Sequence, residues 1–303
     1  MTTSVYMHED CKKHVTPDGH PERVERMGAV ESALEGLSVT QREAPMGTVD
    51  DVLLCHPERY YEYIAGHGAG QLDADTHMSQ DSYLATMRAV GGALAAVDEV
   101  MDGKASNAFV ATRPPGHHAE RAKPMGFCLF GHVAIAAKHL LERHGLSRVA
   151  VVDFDVHHGN GTQDLLWDEA RTLFITSQQV PHWPGTGERS EKGAYDNVMN
   201  IPLKPKTDGA VMRKAYEEEV FPALQKFAPE FLLVSAGFDS HADDPLADLA
   251  WVEDDFRWLT DKLCDLADTH CGGKLVSVLE GGYDLASLGR SVRAHVDVLA
   301  ARG

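Results

Sequence analysis

The chain has 303 residues, 43% of them hydrophobic, so it can bury a large core, and α/β folds of this length often form one domain. Its net charge of −18, from 46 acidic and 28 basic side chains, has the opposite sign to that of a duplex nucleic-acid binder and favours cationic ligands. The sequence holds no apolar run long enough to span a bilayer and opens without the charged start and apolar stretch of a secretory signal, which argues for a cytoplasmic protein with no membrane partner.

Taken in chain order, β-rich apolar runs alternate with helical patterns. A strand over 4–8 precedes a helix near 22–36. A helix near 81–102 leads into a strand over 107–112, and a helix near 131–144 into a strand over 148–154. Strands over 172–177 and 198–202 follow, then a helix near 209–227, a strand over 231–236, a helix near 254–270, a strand over 274–279 and a helix near 284–301. The strands are short, continuous and rich in Val, Ile, Leu and Phe, as expected when both faces are buried. Alternation of this kind predicts a mostly parallel sheet covered by helices on both sides.

Four of these strands run directly into unusual polar residues beside glycines. NAFVAT precedes Arg113-Pro-Pro-Gly-His117-His118, RVAVVDF precedes Asp155-Val-His157-His158-Gly-Asn160, FLLVSA precedes Gly237-Phe-Asp239, and KLVSVL precedes Glu280-Gly-Gly-Tyr283. Ligands of open α/β sheets bind outside the carboxyl ends of the strands. Four such ends carrying His, Asp or Tyr therefore predict one active site.

Asp155 and His157 stand at i and i+2 of an extended segment, so both side chains can face one ion. On its own, a D-x-H pair reads more readily as two surface turn residues. Its position straight after a buried strand favours ligands, with Asp239 as the third. Two carboxylates and an imidazole leave room for water and substrate, as in catalytic sites. Zinc suits this set, and Fe(II), Co(II) and Mn(II) are chemically compatible. His117 and His118 follow a rigid Pro-Pro-Gly turn and can share acid and base duties, with Asp153 and Asn160 as partners that set tautomer and pKa. Tyr283 can donate a hydrogen bond to a developing oxyanion. The five cysteines are scattered without CxxC spacing, which reads as reduced thiols and offers no thiolate metal site.

RPPGHHA (113–119), GFCLFGHVAIAA (126–137), DFDVHHGNGTQ (153–163), PGTGE (184–188), SAGFDSHADDPL (235–246) and LEGGYDLASL (279–288) together resemble the blocks of the histone deacetylase and acetylpolyamine amidohydrolase family, closest to its class II and bacterial members. HPERVER (20–26) resembles that family's N-terminal loop, so the likeness covers nearly the whole chain. The resemblance implies a single catalytic domain over 1–303 with an arginase-like, three-layer αβα fold and eight mainly parallel strands. It implies Zn2+ on Asp155, His157 and Asp239, with Fe2+ or Co2+ as alternatives. His118 would be the general base and acid, His117 its electrostatic partner, and Tyr283 the group that polarises the scissile carbonyl. Asp153 and Asn160 would bond the two histidines. Phe127 and Trp183 would wall an acyl-lysine tunnel lined by Gly126 and Leu246. A K+ ion would use Asp153, Asp155, His157, Thr176 and Ser177.

The expected activity is deacetylation of an acylated amine, either peptide-borne or a small molecule. Three positions depart from the pattern: Gly131-His132 replaces Asn-Asp, Gln178 replaces His, and Leu246 replaces the glutamate of dedicated polyamine deacetylases, which weakens a polyamine-specific reading. An arginase-type ureohydrolase would need a second set of carboxylates, and Ser240-His241 stand where one would begin. A non-catalytic acyl-amine binder would usually have lost a ligand, the histidine pair or the tyrosine.

Overall fold

The apolar runs pair edge to edge into one sheet. The computed structural model describes residues 2–303. In chain order its strands are β1 (Thr3–Met7), β2 (Thr40–Glu43), β3 (Gly70–Gln71), β4 (His77–Met78) and β5 (Asn107–Val110), followed by β6 (Val149–Asp153), β7 (Thr172–Gln179), β8 (Val198–Leu203), β9 (Phe231–Ala236) and β10 (Leu275–Leu279). β3 and β4 form a small antiparallel pair. The other eight lie in the order β2-β1-β5-β10-β9-β6-β7-β8, and every neighbouring pair is parallel.

Side chains alternate between the two faces, as strand geometry requires. Phe231, Leu233, Val149 and Val151 join the core beneath α4 (Ser82–Met101) and α5 (His132–Glu142). Leu232, Val234, Ala150 and Val152 join the core on the other face, beneath α1 (Glu25–Leu34), α9 (Glu253–His270) and α10 (Leu285–Ala301). The result is three layers, αβα.

Several elements depart from the sequence expectation, each for a physical reason. β2 was not anticipated because Thr40-Gln41-Arg42-Glu43 is an edge strand without apolar alternation, paired to β1 alone. The short helices α2 (Val49–Val52), α3 (Glu58–His67) and α6 (Asn160–Leu166) carry too few periodic positions to register. The helix expected over 209–227 is broken into α7 (Gly209–Ala215), a π-helical turn at Tyr216–Val220 and α8 (Phe221–Phe227). Pro222 removes the backbone donor that a continuous α-helical ladder needs, and a widened turn absorbs the defect.

A buried ion cluster ties the N-terminal loop to the strand ends. Arg113 grips Glu22 with two donors at 2.7 and 2.6 Å, and Arg26 adds a third at 2.9 Å. Burial alone would raise the Glu22 carboxyl, but the charge of Arg113 and hydrogen bonds from His14 and Arg113 hold it well below its ordinary value. A depressed carboxyl stabilises fully above its unfolded value and loses that contribution as the pH falls through the folded one. Glu22→Gln is therefore expected to cost about 3–5 kcal/mol at pH 7, because two guanidinium groups stay buried without a counter-charge. Urea unfolding measures this, and a loss near zero would show that the cluster is inert.

Candidate active site

The four strands that run into polar residues are consecutive neighbours in the sheet, β5-β10-β9-β6. β6, β7 and β8 step outward one way, while β9 and β10 step the other way from β6, so the topology reverses between β6 and β9. Such a reversal opens a crevice at the carboxyl edge. Asp155 and His157 leave β6 there, and Asp239 leaves β9.

The ligating atoms of Asp155, His157 and Asp239 lie within 4.8 Å of one another, and all three residues are buried. His157 Nδ1 is 3.1 Å from both Asp155 Oδ1 and Asp239 Oδ2. The carboxylates are held from behind: Asp239 Oδ1 accepts from Val156 N–H at 2.9 Å, and Asp155 Oδ2 accepts from Gly281 N–H at 2.8 Å. A side chain at Gly281 would put its Cβ 2.2 Å from Asp239 Oδ2 and 2.6 Å from Asp155 Oδ2, which explains the glycine.

Burial and the Asp155 charge push the Asp239 carboxyl up to about 7. Burial alone would lower His157, yet hydrogen bonds to the two carboxylates hold it up at about 10. Two packed carboxylates draw a positive charge into the crevice, and the donor set fits a divalent ion. In a second group, Asp98, His139 and His144, the ligating atoms also lie within 4.8 Å of one another. There, however, both Nε2 atoms sit 2.7 Å from the single oxygen Asp98 Oδ1. That is hydrogen-bond contact, closer than ligands crowd around an ion at about 2.0–2.1 Å from each.

The histidine pair faces the crevice with its rings 3.9 Å apart, and the two rings are held differently. His117 Nδ1–H donates to Asp153 Oδ2 at 2.9 Å, and His118 Nδ1–H donates to Asn160 Oδ1 at 2.7 Å. Asn160 donates its own amide to Glu120 Oε1 at 2.8 Å, which fixes its orientation. Burial disfavours charge on both rings. On His117 the charges of Asp155, Asp153 and Glu280 overcome it and raise the pKa well above the usual value. On His118 the charges of His117 and His157 reinforce it and lower the pKa well below. The two rings are tuned in opposite directions, His117 toward the imidazolium and His118 toward the neutral base.

Tyr283 is buried, and burial with the Asp239 charge drives its phenol well above the ordinary range, so it stays protonated as a donor. Arg26 lies over its ring at 5.1 Å and bonds the Gly282 and Glu280 carbonyls at 2.7 and 2.6 Å. A cavity of about 180 Å³ is lined by Asp75, His118, Gly126, Phe127, His157, His182, Trp183, Leu246 and Tyr283. It contains all four residues expected to wall a tunnel. Gly126 has φ +56°, and a Cβ there would meet His118 at 2.4 Å and Trp183 at 2.6 Å, so only glycine lets these rings close over it. Phe127 also adopts a positive φ, 69°, held by Thr76 Oγ1 accepting its N–H at 3.1 Å.

Asp153 and Thr176, both expected at a K+ site, are register partners across β6 and β7, and the buried Thr176 hydroxyl has no hydrogen-bond partner among the described residues. Ser177 instead shares a hydrogen bond with Tyr216 at 2.8 Å. The sequence reading missed Asp75 and His182. Asp75 accepts the Gly126 N–H at 3.1 Å from the connection between β3 and β4, away from the large sheet's strand ends, and the His182 ring stacks on His157 at 4.9 Å. The Asp73-Ala-Asp75 and Pro181-His182-Trp183-Pro184 runs were the available signals.

Fold and site define a class: a parallel α/β sheet protein with a candidate metal site at its carboxyl edge. The chain belongs to the histone deacetylase family, whose domain model, "Histone deacetylase domain", matches residues 20–299. It is 38% identical over 279 residues to a histone deacetylase-like amidohydrolase of Pseudomonas aeruginosa, covering 88% of this chain and 73% of that protein. A probable deacetylase of Archaeoglobus fulgidus is 36% identical over 296 residues, covering 94% and 82%. The crystal structure of the HDA15 HD domain superposes with a TM-score of 0.91 at 28% identity, covering 98% of this chain and 90% of that one. Among the described residues no helix is long and apolar enough to cross a membrane.

Proposed function

We propose that residues 1–303 act as one catalytic domain that hydrolyses the amide of an N-acetylated amine, with zinc held by Asp155, His157 and Asp239. The observation that carries this reading is the buried carboxylate–imidazole–carboxylate cluster whose His157 lines a cavity of about 180 Å³ together with His118, tuned toward the neutral base, and Tyr283, tuned toward the protonated phenol. An ion held by these three side chains would polarise the amide carbonyl and acidify water. His118, its Nδ1 proton committed to Asn160, keeps Nε2 free to take a proton from the attacking water. Tyr283 donates to the carbonyl oxygen as negative charge develops there. The histidine pair then returns a proton to the nitrogen, without which an amide anion leaves poorly.

Phe127, Trp183, Gly126 and Leu246 exclude water along an alkyl chain, and the partly buried Asp75 at the same cavity suits a cationic or hydrogen-bonding substrate backbone. The apolar Leu246 favours acetyl-lysine or a related acylated amine, peptide-borne or free, over a dedicated polyamine substrate. The orphaned Thr176 hydroxyl beside Asp153 supports a K+ site with Asp155, His157 and Ser177.

A panel of acetyl-lysine peptides, acetylputrescine and acetylspermidine tests the reaction, with acetate release as the readout. Chelation should abolish turnover, and one equivalent of Zn2+ per chain should restore it. Restoration by Fe2+ or Co2+ alone would reassign the metal, and turnover that survives complete metal removal would sink the reading.

A further inference from the structure

We propose that Asp244 is a positioning residue for the reaction: its carboxylate clamps the Tyr283 backbone to the loop that carries Asp239 and Leu246, and so fixes where the phenol meets the substrate. This inference rests on the reading of Tyr283 given above. Asp244 is only 6% exposed, and its two oxygens serve two different chain segments. Oδ2 accepts the Tyr283 N–H at 2.7 Å, and Oδ1 accepts the Leu246 N–H at 3.0 Å. One carboxylate thereby joins the loop after β10 to the loop after β9, between the phenol and the cavity wall.

Two features give the clamp a positional purpose. First, Tyr283 follows Gly281 and Gly282, and Gly282 has φ +120°, a conformation that side-chain-bearing residues rarely adopt. The glycines allow the backbone to pass close to Asp155 and Asp239, but they leave the tyrosine on a segment with little intrinsic preference for one path. Arg26 holds the carbonyls of that segment, at Glu280 and Gly282, whereas Asp244 holds the Tyr283 N–H itself.

Second, among the described residues no Lys, Arg or His lies within ion-pair distance of the Asp244 carboxylate. A buried carboxylate without a cationic partner is a costly way to satisfy two amides. Asparagine would be cheaper, but it offers one acceptor oxygen and would turn its NH2 toward the other backbone N–H. Only the acid accepts from both segments at once. Misplacing a catalytic group by about 1 Å can cost about 10²-fold in rate, so a clamp of this kind acts on turnover more than on affinity.

The test is a double-mutant cycle. Asp244→Asn and Asp244→Ser are made in the wild type and in Tyr283→Phe, and kcat and KM are measured on an acetyl-lysine peptide that the wild type hydrolyses, with metal content and melting temperature alongside. In the wild-type background kcat should fall about tenfold or more while KM and metal content hold. In the Tyr283→Phe background the same changes should alter kcat less than about twofold, because the group they position is gone. Equal losses in both backgrounds, an unchanged kcat, or loss of metal or of the folded state in both Asp244 variants would each overturn the clamp. A wild type inactive on every acylated amine would instead refute the proposed function, so the two failures are distinguishable.

Discussion

Asp239→Asn is expected to yield a folded protein that no longer holds its metal and no longer hydrolyses acetylated amines. Losing a mere hydrogen-bond partner of a metal ligand already costs about 10–100-fold in affinity or activity, and losing a ligand costs more. The accompanying stability effect should run in the opposite direction. Asp239 and Asp155 are both buried, and burial with the Asp155 charge lifts the Asp239 carboxyl from 3.8 to about 7. A carboxyl with a raised folded value is stabilising while protonated, and that contribution fades as the pH rises from 3.8 through about 7. Metal-free Asp239→Asn, which carries no such charge, should melt no lower than the metal-free wild type at pH 8. Added Zn2+ should then raise the melting temperature of the wild type alone, by mass action on the folded state. Melting both proteins with and without Zn2+ decides the matter; an equal shift in the variant would remove Asp239 from the ligand set.

Such a site was legible in the sequence because its parts lie on strand ends. Asp155, His157, Asp239 and Tyr283 each follow a continuous apolar run, and sheet physics sends those ends to one rim. The side chains that hold the site were less legible. Glu280 accepts the Gly116 and His117 N–H groups at 2.7 and 3.1 Å from 163 residues or more away in the chain, and no local pattern announces such a contact. Asp75 and His182 sit on loops whose course is set by tertiary contacts, so periodicity says nothing about where they point. The same holds at the fold level. β9 and β6 are apolar on both faces and declare themselves, whereas β2 is a polar edge that exists only because β1 offers it a ladder. The order in which strands neighbour one another, and hence the reversal between β6 and β9, is likewise decided by packing.

His118→Ala should reduce kcat by about 10²–10⁴-fold, the usual range for a positioned acid–base group. His117→Ala should cost less. The asymmetry comes from the two partners. The charge and hydrogen bond of the Asp153 carboxyl favour the charged form of His117, while Asn160 is a neutral acceptor that fixes the His118 tautomer and favours a proton on Nε2 only as a hydrogen-bond partner, without a counter-charge. Positive charge on His117, which its carboxylate surroundings favour, also repels a proton from the neighbouring ring 3.9 Å away and so favours the basic form of His118 that the attack requires. His117→Ala should therefore ease protonation of His118 and impair the step in which positive charge helps expel the amine. A substrate with a better leaving group, such as an acetylated aromatic amine, needs less of that help. It should recover part of the activity lost in His117→Ala and much less of that lost in His118→Ala. Steady-state kinetics of both variants on an alkyl and an aryl acetamide measure this, and a His117 variant more damaged than the His118 variant on both substrates would reverse the roles assigned to the two rings.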